Sequence, residues 1–174
     1  MGLASELEYA FSRPGLLHRL VQGAASTRPG GWVFSRTLRH LDDVVVRLSR
    51  GRTSAPALLA GLPVLEVTTT GRRSGRARTS HLIAVPFQDT LALLGTNFGQ
   101  TSTPAWVLNL EADARATVTY RGRSREVRAR PATPAEVDEV MRASDRIYPG
   151  YRKYRARISG RRVRIFVLEP AQGA

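Results

Sequence analysis

The sequence predicts a single α+β domain built on a small barrel of about six mostly antiparallel strands, with helices between and outside them. Three observations predict it. Short β-branched or alternating runs recur at 64–70, 79–87, 90–96, 114–120, 124–130 and 162–168, turn residues separate them, and helical periodicity is confined to the stretches around them. With 174 residues and 42% apolar content the chain can build one core. Residues 36–174 are expected to form the domain and 1–35 an N-terminal arm.

Taken in order, the arm mixes Phe11, Leu16, Leu17, Leu20 and Val21 with Arg13, His18 and Arg19 before a Pro29-Gly30-Gly31 break, which reads as a short amphipathic helix and a turn. Leu38, Leu41, Val44, Val45 and Leu48 then recur at helical spacing, with Asp42 and Asp43 early and Arg47 and Arg50 late, as the helix dipole prefers. This predicts a helix over 36–49. Strand 64–70 ends at Gly71, and strands 79–87 and 90–96 turn at Gln88-Asp89. A short helix follows over 104–110. Strands 114–120 and 124–130 alternate across Arg121-Gly122, a hairpin signal. Thr133-Pro134-Ala135-Glu136 combines an N-cap threonine, proline at the first helical position and a glutamate placed for a capping box, so a helix should run to about Asp145. Another turn or two follows Pro149-Gly150, and 162–168 closes the sheet.

The net charge is +13, carried by arginine, since Lys153 is the only lysine. Such a balance favours phosphates, acidic cofactors, nucleic acid or anionic lipid. Without cysteine there is no disulfide framework, thiolate metal site or catalytic thiol, which suits a cytoplasmic protein. The longest apolar run, 55–65, is broken by Pro56, Gly61 and Pro63 and falls short of the roughly 20 residues that span a bilayer. His18, His40 and His81 are isolated, and no metal site is expected.

Three groups of residues can carry chemistry. In the loop 70–78, Gly71 and Gly75 permit turns, and Arg72, Arg73, Arg76 and Arg78 crowd beside Ser74; guanidinium forks, a hydroxyl and open amides suit a phosphate or carboxylate. Composition alone fits a solvated basic hairpin equally well, and the loop lacks the endings of a nucleotide P-loop or a dinucleotide fold. The second group is Thr96 and Asn97 at a strand end, followed by Trp106 and Asn109 on the next helix, where backbone and amide could meet the polar edge of a planar ring. Taken alone, Trp106 reads better as a core anchor. In the third, Tyr148, Tyr151 and Tyr154 recur every three residues and would share one face, either as a wall over a flat substrate or as ordinary packing.

In this order, Thr68-Thr69-Thr70-Gly71-Arg72-Arg73-Ser74-Gly75-Arg76-Ala77-Arg78, Pro104-Ala105-Trp106-Val107-Leu108-Asn109-Leu110 and Tyr148-Pro149-Gly150-Tyr151-Arg152-Lys153-Tyr154 closely resemble the deazaflavin-dependent nitroreductase family over roughly residues 36–170. The resemblance implies a split β-barrel of the kind shared with flavin-mononucleotide-binding oxidases. It also implies coenzyme F420, an 8-hydroxy-5-deazaflavin whose phosphate and oligoglutamate tail is strongly anionic. Carried over by position, Arg73, Ser74 and Arg78 would contact that tail with help from Arg72. Thr79 and His81 would lie under the cofactor, Thr96 and Asn97 at the ring's polar edge, and Trp106 and Asn109 would finish the pocket. Tyr148, Tyr151 and Tyr154 would form the wall over the substrate. Arg73 stands where the family often has lysine, and His81 where many relatives have proline.

The activity implied is hydride transfer from reduced deazaflavin to a small electrophile: a quinone, an activated alkene or a nitro compound. A tyrosine hydroxyl, Tyr148 first, or water would supply the proton. A cofactor that carries the difficult chemistry accounts for a chain without an acid-base constellation. One alternative is a flavin mononucleotide (FMN) oxidoreductase on the same barrel, which needs only one phosphate satisfied. Another is a basic nucleic-acid-binding module, against which stand scattered arginines and the lack of a recognition motif. Residues 1–35 could rest on the anionic inner face of the membrane or pack on the barrel or a second subunit, and a homodimer is left open.

Overall fold

A computed structural model describes residues 2–11, 62–97, 100–147, 150–158 and 162–171, apart from the side chains of Tyr154, Arg155 and Arg157. The predicted helix over 36–49 and the rest of the arm, 12–35, lie outside the described residues. Among the described residues the elements are α1 (Leu3–Glu6), β1 (Leu65–Thr70), β2 (Ala77–Leu82), β3 (Val85–Phe87), β4 (Thr90–Leu94), α2 (Ala105–Ala112), β5 (Arg115–Tyr120), β6 (Arg123–Pro131), α3 (Pro134–Ile147), α4 (Gly150–Arg157) and β7 (Ile165–Pro170). None of these helices is long and apolar enough to cross a membrane.

The strands form one seven-stranded sheet in the order β2-β1-β5-β6-β7-β4-β3, every neighbouring pair antiparallel. This is one strand more than expected, because the run read as a single strand over 79–87 breaks at Ile83 and Ala84. Its first half pairs with β1 and its second with β4, so one extended stretch supplies both edges of the sheet. Three residue steps separate Leu82 from Val85 and reach at most about 11 Å. In a flat sheet the same two edges would stand about 29 Å apart, at about 4.8 Å per strand gap. The sheet therefore curls until the end of β2 lies near the start of β3, and the α+β split barrel expected from the sequence is the fold observed.

At this seam the backbone leaves the ladder, and its polar groups are met by tyrosines. The Tyr9 hydroxyl accepts from the Ala84 N–H at 3.0 Å and directs its single proton toward the carbonyls of Pro63 at 2.8 Å and Ala84 at 3.1 Å. Tyr151 on α4 donates to the Ile83 carbonyl at 3.3 Å. Burial raises the pKa of the Tyr9 hydroxyl well above that of an ordinary tyrosine and keeps it neutral.

The two faces of the sheet follow the two sequence patterns. In β1, Leu65, Val67 and Thr69 point inward and alternate with half-buried Glu66 and Thr68, giving the interior core with Val118, Val127, Trp106 and Leu168. In β4 and β7 the apolar run is continuous, and both faces are buried: Ala92, Leu94, Ile165 and Val167 form a second core with Val140 of α3 and Tyr151 of α4. Leu3, Leu7 and Tyr9 join the interior core, so residues 2–11 pack into the barrel. The Arg121-Gly122 turn has positive φ at both positions, +49° and +82°, as a tight two-residue hairpin requires. The capping box is formed: Thr133 N–H donates to Glu136 Oε2 at 2.8 Å, and Glu136 N–H donates to Thr133 Oγ1 at 3.4 Å.

Candidate functional site

The loop between β1 and β2 is a short hairpin with every residue from Arg72 to Thr79 exposed. Its two glycines serve different needs. A Cβ at Gly71 would lie 2.9 Å from Ser74 Oγ and 3.0 Å from the Arg76 carbonyl, so this position needs a residue without a side chain. Gly75 has open space around it but a φ of +65°, where other residues are strained. The loop's amides are turned inward more than the sequence suggests. Gly71 N–H bonds the Arg76 carbonyl, Ser74 and Gly75 N–H bond the Gly71 carbonyl, and Arg72 N–H bonds Asn109 Oδ1 at 3.1 Å. Attraction for an anion therefore rests on the side chains.

Arginine elsewhere in the described residues is of two kinds, paired and unpaired: Arg121, Arg128, Arg142, Arg146, Arg152 and Arg162 are scattered and have no carboxylate partner among the described residues. Arg115, Arg123, Arg125, Arg130 and Arg164 each form an ion pair with an aspartate or glutamate. For Arg72, Arg73, Arg76 and Arg78 no carboxylate partner occurs among the described residues. Exposed guanidiniums clustered on a fixed hairpin and left unneutralised are the donor set that a phosphate or carboxylate chain needs, so the residues present fit an anionic cofactor tail.

Helix α2 joins this loop to the end of β4. A Cβ at Gly95 would come within 2.8 Å of Val107 Cγ2, so glycine there lets the helix seat closely against the strand end. Thr96 is buried, and Asn97, at a φ of +46°, uses its amide nitrogen to bond Ser102 O at 3.1 Å and Ser102 Oγ at 3.0 Å, closing its own loop. Trp106 is 6% exposed, edge-on to Phe166 in the interior core. On β2, Thr79 shares a 2.9 Å hydrogen bond with Thr68, and half-buried His81 pairs in register with Glu66.

The structure thus brings Arg72, Asn109, Arg78 and Thr79 to one end of the barrel, with Arg73 and Ser74 on the same hairpin. Tyr151, 5% exposed, belongs to the second core and the seam. Tyr148 and the side chain of Tyr154 lie outside the described residues. Sequence reasoning missed Thr69 and Ser102, partners of the two asparagines. Thr69 was findable: it shares the inward parity of Leu65 and Val67, and a polar group on a core face needs a partner. Among the described residues no group of His, Asp or Glu could hold a metal.

Over residues 39–170 the sequence matches the F420H(2)-dependent quinone reductase family. The chain belongs to that family. It is accordingly an oxidoreductase that takes F420 as cofactor and transfers hydride from the reduced deazaflavin to a quinone, which selects one of the three electrophile classes expected and makes FMN the secondary candidate. Among solved structures the chain is similar to an F420-H2 dependent reductase (FDR-A), with 25% identity and a TM-score of 0.56, over 62% of this chain and 94% of that one. A second, described as a domain-swapped dimer, is 24% identical with a TM-score of 0.57, over 81% of this chain and 99% of that one. A third, a protein of unknown function from Agrobacterium tumefaciens str. C58, is 20% identical with a TM-score of 0.52, over 63% of this chain and 48% of that one. The last two show the fold alone.

Proposed function

We propose that the arginine hairpin is the handle for the phosphate and oligoglutamate tail of F420, gripped by Arg72, Arg73, Ser74 and Arg78. The carrying observation is the crowding of four exposed guanidiniums on one short hairpin, none with a carboxylate partner among the described residues. Thr79 and His81 on β2 would underlie the cofactor, Thr96 and Asn97 with the nearby β4 backbone would face the ring edge, Trp106 would support the ring pocket from α2, and Asn109 on the same helix would act at the hairpin end.

When bound, reduced F420 supplies the hydride that a quinone accepts. The chain then has to orient two flat molecules, exclude water and deliver one proton, since hydride plus proton converts quinone to hydroquinone. Tyr148, Tyr151 and Tyr154 are the proposed wall over the quinone. The Tyr151 hydroxyl is directed to the Ile83 carbonyl, which favours Tyr148 Oη, or water, as the proton source.

Titration of the purified protein with F420, followed by deazaflavin fluorescence, tests the reading. Saturable binding at micromolar protein, weakened by salt, is expected. Binding of FMN with none of F420 would overturn it. A homodimer, as in the domain-swapped neighbour, and contact of residues 12–35 with the inner face of the membrane are separate proposals, for light scattering and liposome flotation.

A further inference from the structure

Beneath the arginine hairpin runs a chain of hydrogen bonds with one consistent direction. Arg72 N–H donates to Asn109 Oδ1 at 3.1 Å, Asn109 Nδ2 donates to Thr69 Oγ1 at 3.0 Å, and Thr69 Oγ1 donates to the Arg78 carbonyl at 3.4 Å. The relay starts at the first arginine of the loop, passes through helix α2, and ends at the last. Asn109 and Thr69 are 6% and 2% exposed. The amide orientation is determined, because a flipped amide would set its NH2 against the Arg72 N–H. Only a side chain with an acceptor and a donor can join these two partners, and Asn109 offers both at once.

From this geometry we infer that Asn109 and Thr69 are positioning residues that hold the two limbs of the hairpin at a fixed spacing, and so set its selectivity for a polyanionic tail. The inference rests on the reading of the hairpin as the tail site. It gives Asn109 a task at the hairpin, where its amide bridges the Arg72 N–H and Thr69 Oγ1. Thr69 enters the site as a residue that need never touch the cofactor. Helix α2, seated at Gly95 on one side and tied to the hairpin on the other, sets the distance between the two ends of the cofactor cradle.

The test compares F420 with its tail-less riboside, which carries the same ring but neither phosphate nor glutamates, by fluorescence titration of wild type, Asn109→Ala, Thr69→Val and Thr69→Ser. Asn109→Ala and Thr69→Val should each weaken F420 by about tenfold, and riboside affinity should stay within about twofold. Thr69→Ser, which keeps the hydroxyl, should bind both ligands as wild type does and remains informative if Asn109→Ala does not fold. In the ligand-free protein, amide hydrogen exchange at Arg72 should quicken in Asn109→Ala. Equal weakening of both ligands, or unchanged F420 affinity and unchanged exchange, would overturn the inference and leave the tail reading standing. Wild type that binds F420 no more tightly than the riboside would sink the tail reading, and this inference with it.

Discussion

Two hairpins at opposite ends of the barrel use arginine differently. Where β5 turns into β6, Arg123 pairs with Glu8 at 2.7 Å and Arg125 with Glu6 at 2.8 Å, so the charges tie the N-terminal segment to the sheet. At the other end, where β1 turns into β2, Arg72, Arg73, Arg76 and Arg78 meet no carboxylate among the described residues. Exposed pairs of the first kind stabilise by only about 0–1 kcal/mol each. The buried side chains of Leu3, Leu7 and Tyr9 do most of the holding there. Paired arginine is a weak fastening on a segment that apolar burial already secures; clustered arginine with no carboxylate partner among the described residues is the surface proposed to take an anion.

The largest effect expected from this contrast is on cofactor binding. Changing Arg72, Arg73 and Arg78 together to serine should weaken F420 by more than about 100-fold, given about 1.5–3 kcal/mol for each hydrogen bond to a charged group. The same change at Arg123 and Arg125 should leave affinity within about twofold. Similar losses at the two ends would erase the distinction. Next comes stability: Leu7→Ala should cost about 2–5 kcal/mol in denaturant unfolding, and Tyr9→Phe about 1–3 kcal/mol because the buried Ala84 N–H loses its acceptor. Neither should change F420 affinity of the folded protein, and a parallel loss would mean that the ends are coupled.

The smallest effect concerns an ion pair that is structural at both partners. Arg130, and then the Thr133 N–H, hold the Glu136 carboxyl down from 4.5 to about 2. A depressed carboxylate pKa contributes stability that is fully present above pH 4.5 and is lost as pH falls toward 2. Glu136→Gln should therefore cost about 1 kcal/mol or less at neutral pH. The gap to wild type should close as the pH is lowered through that window; a gap independent of pH would show that packing, not charge, is what Glu136 supplies.

Much of this was legible in the residues. Thr133 and Glu136 announced their capping box, and Arg121-Gly122 its tight turn. The arginine hairpin was visible as a loop, though its open amides were overcounted: Gly71, Ser74 and Gly75 spend theirs on carbonyls inside the loop, and Arg72 spends its own on Asn109, distant in sequence. The break at Ile83-Ala84 left no mark, since both residues suit a strand, and what ends the pairing is the closure of the sheet. Leu3, Leu7 and Tyr9 fall within the expected 1–35 arm, whose packing on the barrel was one of its open alternatives; a short segment has no periodicity of its own, and the interior these residues fill is supplied by other strands.

By itself, then, the sequence determined the local elements, the α+β class, the deazaflavin resemblance and the position of the arginine-rich loop, because caps, turns, alternation and charge clusters are properties of neighbouring residues. Only the tertiary structure decided which arginines meet a carboxylate among the described residues, which threonine and asparagine bond the hairpin, and how two tyrosines satisfy the seam. Each of those depends on partners brought together across the barrel, and hydrogen bonds and ion pairs act over distances far shorter than the separation along the chain.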